Sequence, residues 1–378
     1  MKTLKFFALL LPALSLACGS RAVDLEGERV PKVTASNDPA VVAVVDDQVT
    51  SLAVDDERLY WVGIWVEPNV PFFAALRSCK KTSCADSLLT YDPGQVAVST
   101  GFFLQGGEVF WLQAQDFHHS TLHACSVAGC DHGSRVVSSF VLTDAEVMTP
   151  GADAAFVSVT SFEGVGITAS GIYRFSLGPG DNAPSVVARP NNDLVSLAEH
   201  DDYLYWLEVP SLGSVDTPDY FSGQMLQRTL ADGSGSPQLL ANHLLLGGLN
   251  TQLAVDQNYA YWSESVLYGS ISRCPLTGCA DPSTPEVFVQ PIRSPTTLWL
   301  DAGSLYWAHD TAAAGYAMSA CRLSSCTPVA AVAAGLADSK AMAFDDAFIY
   351  AAATAQETIT SDGLNVNLPL RRFPKVVP

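Results

Sequence analysis

One short phrase returns seven times along the chain, and it constrains the fold more than any other feature. Each copy has an apolar run, a polar turn, and a second run that ends in aromatic or small residues. The equivalent positions lie 44 to 56 residues apart, which is the spacing of blades in a β-propeller. These positions are Trp61, Trp111, Val157, Trp206, Trp262, Trp307 and Ala351.

Each copy predicts two antiparallel strands joined by a tight turn. In the fifth copy, residues 253–255 lead into Asp256 and the turn, and residues 259–263 resume with strand-forming side chains. A third strand is predicted at 269–274 and a fourth at 286–289. Four short strands per period, without an amphipathic helix, predict an all-β fold. We expect a seven-bladed β-propeller with four antiparallel strands per blade, and six or eight blades are the alternatives.

The two ends of the repeat region predict how the ring closes. The last copy stops soon after its third strand, and a strand-like run at 40–45 precedes the first copy. We therefore expect the N-terminal strand to complete the last blade, which would remove a free sheet edge. The predicted propeller spans 39–378, with blades near 51–98, 99–146, 147–195, 196–250, 251–295, 296–339, and 340–378 together with 40–46.

The repeat resembles that of known propeller families. An Asp turn, a Tyr-Trp pair and a later G-x-I-x-R segment are similar to the YWTD repeat of LDL-receptor-like propellers and to NHL-like propellers, including bacterial surface lipoproteins. The resemblance covers about residues 40–378 and implies a propeller that binds ligands on one face. The copies read YWVG, FWLQ, YWLE, YWSE and YWAH, so the Asp of the YWTD motif is absent. YWTD domains also have six blades, whereas seven copies are present here.

The N-terminus predicts export and lipid anchoring. Residues 1–17 have two lysines followed by an uncharged apolar run, as in a signal peptide. The segment before Cys18 resembles a bacterial lipobox, which implies cleavage after Ala17 and a lipid on Cys18. An ordinary secretory signal is the alternative. Residues 18–38 are polar and predict a flexible tether. We expect a protein held in the cell envelope by this lipid, at the outer membrane of a Gram-negative bacterium.

Cysteine spacing predicts four disulfide bonds. Of nine cysteines, Cys18 takes the lipid and eight form C-x4-C pairs between predicted third and fourth strands. An exported chain with paired cysteines is typically disulfide-bonded. A zinc site would need two pairs to converge, and pairs on different blades point away from one another. The predicted disulfides are Cys79–Cys84, Cys125–Cys130, Cys274–Cys279 and Cys321–Cys326.

The charge of the chain restricts its partners. The formal net charge is −19, and removal of the two lysines in residues 1–17 makes it −21. Because such an acidic surface repels phosphate backbones, we expect no nucleic-acid partner. We expect a monomer whose membrane contact is made through the lipid.

The long loops between second and third strands predict a binding face, because loops on a rigid scaffold often carry function. Imidazoles and a carboxylate there, at 116–119, could bind a metal or act as acid and base, or could belong to a solvated polar loop. Glu208, Glu264 and Asp310 could hold Ca²⁺, or could bond to neighbouring backbone in ties between blades. No residue is assigned a catalytic role. The candidate residues are Asp116, His118, His119, Glu208, Tyr220, Glu264, His309 and Asp310.

These observations suggest three functions. The leading interpretation is a non-enzymatic envelope lipoprotein that presents a propeller face to a protein, peptide or glycan partner, so that an enzyme is the less favoured reading. The first alternative is an envelope lyase or hydrolase with His118, His119 or His309 as general acid or base. The second alternative is a structural component of the envelope.

Overall fold

The structure of the 378-residue chain is a computed structural model. The structure describes residues 33–34, 36, 38–45, 48–65, 73–92, 101–114, 119–130, 133–143, 145–159, 171–178, 180, 183–209, 224–244, 246, 251–264, 268–311, 315–336, 341–353, 358–360, 363–365 and 368–375. Within these residues, no helix is long and apolar enough to span a membrane.

The strands follow one another in chain order, and almost all of them belong to four-stranded antiparallel sheets. Two strands precede the first blade, β1 (Val33–Thr34) and β2 (Val41–Val45). Blade 1 contains β3 (Gln48–Val54), β4 (Arg58–Trp65), β5 (Phe73–Lys80) and β6 (Leu89–Asp92), with a 3₁₀ turn at Cys84–Asp86. Blade 2 contains β7 (Phe102–Gln105), β8 (Glu108–Ala114), β9 (His119–Ser126) and β10 (Arg135–Thr143). Blade 3 contains β11 (Ala145–Pro150), β12 (Ala154–Val159), β13 (Gly171–Ser176) and β14 (Ser185–Ala188).

The remaining blades repeat the same order. Blade 4 contains β15 (Asp193–His200), β16 (Tyr203–Val209), β17 (Met225–Leu230) and β18 (Gln238–Asn242). Blade 5 contains β19 (Leu253–Val255), β20 (Tyr259–Glu264), β21 (Gly269–Pro275) and β22 (Glu286–Ile292). Blade 6 contains β23 (Pro295–Asp301), β24 (Ser304–Asp310), β25 (Tyr316–Arg322) and β26 (Ser325–Leu336). Blade 7 contains β27 (Met342–Phe344), β28 (Phe348–Ala352) and β31 (Leu368–Pro374), and a small hairpin of β29 (Thr358–Thr360) and β30 (Gly363–Asn365) is inserted before β31.

The predicted seven-bladed ring and its closure are confirmed. The N-terminal strand β2 pairs antiparallel with β31, with Val41 opposite Arg371 and Val45 opposite Leu368. Blade 7 therefore has its fourth strand from the other end of the propeller. The structure adds a fifth strand, because β1 pairs with the outer edge of β2. Val33 of β1, which lies inside the segment predicted as a tether, packs against the core between blades 7 and 1.

The core is divided among the interfaces between blades. Buried apolar side chains in the described part form seven clusters, one for each pair of adjacent blades. Neighbouring residues on a strand point to opposite faces, so a Tyr-Trp pair serves two interfaces. Trp61 packs toward blade 7 and Tyr60 toward blade 2. The aromatic pair therefore joins each blade that carries it to both neighbours.

The recurring Asp of the first turn has two roles in three blades. In blade 7, Asp345 Oδ1 accepts the backbone N–H of Ala347 and Phe348, which fixes the turn. Its Oδ2 accepts the hydroxyl of Tyr350 at 2.8 Å. The same pattern joins Asp55 to Tyr60 and Asp256 to Tyr261. The sequence indicated the turn role but not the Tyr contact, which orders the aromatic pair.

Ion pairs connect blade 7 to both neighbours. Lys81 of blade 1 donates to Asp345 of blade 7 at 2.8 Å, and Lys375 of blade 7 pairs with Asp301 of blade 6. At the position equivalent to Lys81, blades 5 and 6 have Leu276 and Leu323, which pack against the preceding blade. A charged contact thus replaces an apolar one on each side of the blade that closes the ring.

The four predicted disulfides are present, with Cα–Cα separations between 4.7 and 5.6 Å. Each begins on a third strand, as predicted. The cysteines also pack against the preceding blade, and the N–H of Cys279 donates to the carbonyl of Leu240 in blade 4. The bonds therefore stiffen contacts between blades as well as the blade that carries them.

Candidate functional site

The structure describes five of the eight predicted binding-face residues. Asp116, His118 and Tyr220 lie outside the described residues, as does the predicted lipid site Cys18. His119 begins β9, at the end of a second-to-third connection. The other four are Glu208, Glu264, His309 and Asp310, and each lies near the end of the second strand of its blade.

Glu208, Glu264 and His309 share one position in the repeat, two residues after the blade's Trp. Side chains two apart on a strand lie on the same face. The third-strand residue opposite the Trp also points to that face, so it lies beside the polar side chain. The register places Gln227 opposite Trp206, Ser272 opposite Trp262, and Ser319 opposite Trp307. A second-strand and a third-strand residue thus form a polar pair in blades 4, 5 and 6.

Glu208 is held by donors of its own blade. Its side chain accepts the indole N–H of Trp206 at 2.7 Å, the amide of Gln227 at 2.8 Å and the amide of Asn192 at 3.1 Å. The residue is 1% exposed. Burial raises the pKa of the Glu208 carboxyl, and the hydrogen bonds from Trp206 and Asn192 oppose the rise. Both carboxylate oxygens therefore accept hydrogen bonds from the same blade and help to hold its strands in place.

Glu264 has the same surroundings with smaller partners. It accepts hydroxyl hydrogen bonds from Ser270 and from Ser272, the latter at 3.0 Å, and it is 9% exposed. Within the part of the chain that the structure describes, no group of three or more His, Cys, Asp or Glu side chains is arranged to hold a metal ion. The predicted Ca²⁺ role of Glu208, Glu264 and Asp310 remains a prediction.

In blade 6 an imidazole replaces the carboxylate. His309 Nε2 lies 3.1 Å from Ser319 Oγ, and His309 Nδ1 lies 3.2 Å from the carbonyl oxygen of Asp310. A carbonyl can only accept, so we assign the proton to Nδ1. Nε2 then accepts the hydroxyl proton of Ser319. The carboxylate of Asp310 does not contact this imidazole but accepts the Nε–H of Arg293 at 3.0 Å.

A second imidazole, His123 of blade 2, was not predicted as a site residue. It lies opposite Trp111 on the third strand, the position of Ser319 in blade 6. Its Nδ1 is 2.9 Å from Ser134 Oγ and its Nε2 is 3.0 Å from Thr121 Oγ1. Burial lowers the pKa of His123, so the ring is neutral at physiological pH. The repeat register is the sequence signal that could have identified both His123 and Ser319.

A separate cavity of about 480 Å³ lies where the closing strand meets blade 1. Its walls are the segment that leads into β2 and the disulfide loop of blade 1, with Arg372 from β31. Lys81, which lines it, is already bound to Asp345. This cavity holds no nucleophile–base pair among its described residues.

Similar solved structures are propellers of peptidases. A Mycobacterium tuberculosis puromycin-hydrolysing peptidase matches 86% of this chain with 11% identity and a TM-score of 0.59. The propeller domain of the Pyrococcus furiosus trilobed protease matches 86% of this chain with 8% identity and a TM-score of 0.59, and is itself covered to 95%. An acylaminoacyl peptidase bound to a peptidyl chloromethyl ketone matches 88% with 8% identity and a TM-score of 0.58. No protein-family model matches the chain, and no curated protein is similar to it.

The comparison corrects the sequence-based function. We expected a non-enzymatic binding protein and considered an enzyme the less favoured alternative. Both expectations are wrong, because the similar structures are propellers of hydrolytic enzymes. The sequence interpretation rested on a uniform repeat that carries long loops on one face, which is typical of a binding scaffold. This chain spans about half the length of the full peptidases, 51% of the mycobacterial one. At such low identities the likeness establishes the fold.

Proposed function

We propose that this protein acts in the hydrolysis of peptide bonds or related amide bonds, as a propeller of the peptidase type. The observation that supports the proposal is the extent of the match. Propellers of a puromycin-hydrolysing peptidase, a prolyl endopeptidase and an acylaminoacyl peptidase each align with 86 to 88% of the chain. This agrees with the hydrolase alternative from the sequence.

The charge of the chain suggests the substrate class. A protein with a formal net charge of −19 attracts cations and repels anions over distances of about 10 Å at moderate salt. Short peptides or amides with a free amine or basic side chains would therefore reach the protein faster than acidic ones. We accordingly include small cationic amides among the proposed substrates.

The proposed setting is the cell envelope. Four disulfides favour an oxidising compartment. We also propose that Cys18 is lipidated and that the lipid attaches the protein to a bacterial outer membrane. We further propose that the repeat is related to those of YWTD and NHL-like propellers, which it resembles. A lipid anchor would keep peptide hydrolysis at the membrane, where peptides enter the periplasm or leave it.

The experiment compares envelope extracts from the native host with extracts from a strain that lacks the gene. Both extracts, and the purified lipidated protein, are incubated with paired peptide amides that differ only in Lys-for-Glu replacements, and products are followed by mass spectrometry. We expect hydrolysis by the wild-type extract and by the purified protein, faster for the cationic member of each pair at low salt. Equal hydrolysis by both extracts, together with an inert purified protein, would refute the proposal.

A further inference from the structure

We infer that Ser319 and His309 form a nucleophile–base pair that can take up an acyl group. The inference rests on the proposed hydrolytic function and names residues for it. Nucleophilic catalysis by serine needs a hydroxyl hydrogen-bonded to a base, and a third group that fixes the base in the correct tautomer. Blade 6 supplies all three in Ser319, His309 and the carbonyl of Asp310, at 3.1 and 3.2 Å.

The other blades show what is special about this pair. In blades 4 and 5 the same two positions hold a carboxylate with Gln227 or Ser272. Those carboxylates are 1% and 9% exposed, and their oxygens already accept several hydrogen bonds. Such a buried acceptor orders the blade. An imidazole at the same position has a single basic nitrogen, and in blade 6 that nitrogen faces a hydroxyl.

In blade 6 both members of the pair, His309 and Ser319, are partly exposed. In blade 5 both members of the equivalent pair are buried, and in blade 4 the carboxylate is buried and only Gln227 is partly exposed. The Ser319 hydroxyl donates its proton to Nε2, so the oxygen lone pairs remain directed away from the ring. A carbonyl carbon can therefore approach from solvent without breaking the contact that activates the hydroxyl.

The proposed reaction balances as an acyl transfer to water. Ser319 Oγ bonds to the substrate carbonyl carbon while its proton moves to His309 Nε2. The C–N bond then breaks, and the amine leaves with that proton. A water molecule next gives a proton to Nε2 and attacks the acyl ester, the ester C–O bond breaks, and Ser319 regains its hydrogen. The sum is amide plus water giving carboxylic acid plus amine.

An alkyl fluorophosphonate carrying biotin is the probe, because it phosphonylates a serine that is activated by a base and releases fluoride. The protein is labelled at full length, digested, and searched by mass spectrometry for the modified peptide. We expect the label on Ser319. Ser319→Ala should abolish it, and His309→Gln should slow labelling by about 100-fold or more. Ser272→Ala is the matched control, because this serine has the same position in blade 5 but faces a carboxylate.

Thermal unfolding of each variant separates catalysis from folding. His309→Gly adds a second readout, because free imidazole should restore labelling if the ring acts as a base. A label on another serine, or His309→Gln labelled at the wild-type rate while folded, would overturn the inference. Peptide hydrolysis without a label on Ser319 would leave the proposed function standing and remove this pair. A label on Ser319 with no peptide cleaved would keep the pair and remove the peptidase function.

Discussion

Replacement of Asp345 by asparagine should cost more stability than the same change at Asp256. Both carboxylates fix a turn through Oδ1 and accept a Tyr hydroxyl through Oδ2, at 2.8 Å from Tyr350 and 3.0 Å from Tyr261. Asp345 alone of the two also accepts the ammonium of Lys81. An asparagine keeps the turn bonds through its carbonyl oxygen, but its amide nitrogen cannot accept from the phenol or the ammonium.

The magnitude follows from these contacts. A hydrogen bond to a charged group contributes about 1.5–3 kcal/mol. The replacement of the Tyr hydroxyl's bond to a carboxylate by a bond from a neutral amide is common to both variants. The Lys81 contact is partly exposed, at 16% for Lys81 and 18% for Asp345, so we expect it to add about 1 kcal/mol. Burial opposes ionisation of Asp345, but Lys81, Tyr350 and two backbone N–H groups lower its pKa to about 2. Because the folded pKa lies below the unfolded value of 3.8, this stability is present above pH 4 and is lost as pH falls toward 2.

The assay is urea unfolding at pH 7 and at pH 3, with Lys81→Leu and the double variant completing a cycle. Leucine is the matched choice, because Leu276 and Leu323 occupy this position in blades 5 and 6. At pH 7 we expect Asp345→Asn to lose about 1 kcal/mol more than Asp256→Asn, a difference of about 2 °C in Tm. Equal losses, or a coupling near zero between Lys81 and Asp345, would show that this ion pair does not hold blade 7 to blade 1.

Four further predictions test the rest of the structure. Deletion of residues 40–46 should unfold the whole propeller, and a stable monomeric product, seen by size exclusion and circular dichroism, would contradict the closure. Replacing both Cys321 and Cys326 by serine should lower the free energy of unfolding by about 2 kcal/mol. Adding a reductant should then lower the free energy of unfolding of this variant by less than it lowers that of the wild type. Burial raises the pKa of Glu208 above its usual value of 4.5, so its ionisation lowers the free energy of unfolding as pH rises above 4.5. Glu208→Gln should therefore reduce the fall in the free energy of unfolding between pH 4.5 and 7, and an unchanged slope would contradict this. Cys18→Ala should move the protein from the detergent phase to the aqueous phase in a Triton X-114 partition, whereas an unchanged partition would argue against lipidation.

The blade architecture was predictable because its signals are local. A polar turn between two strands, at least one aromatic residue and a third strand recur in the repeat, and each follows from the chemistry of a few adjacent residues. Closure was predictable by counting strands, and β2 pairs with β31 as expected. The strand β1 has only two residues, too few to show a period, so only its contact with the core reveals it.

The candidate site was harder to predict because its contacts cross between strands. His309 was singled out by its own chemistry, but Ser319 is ten positions away and meets it only through the register of β24 with β25. Aligning the third strands of the repeat copies would have indicated this register, but no local pattern of residues marks it. No local motif could indicate this contact, because its two members lie on different strands.

The pairing of β2 with β31 also determines the order in which parts of the propeller can fold during synthesis. A ribosome makes β2 before the strands of blades 1 to 6 and β31 after them, so Val45 cannot pair with Leu368 until those blades have been synthesised. Blades 1 to 6 use only strands that lie close together in the chain, so they can form during synthesis. Until β31 has been synthesised, β2 has an unpaired edge that can add to the sheets of other chains. The risk of aggregation is therefore concentrated in a single late step, and factors that shield a free strand edge would help this protein most at that moment.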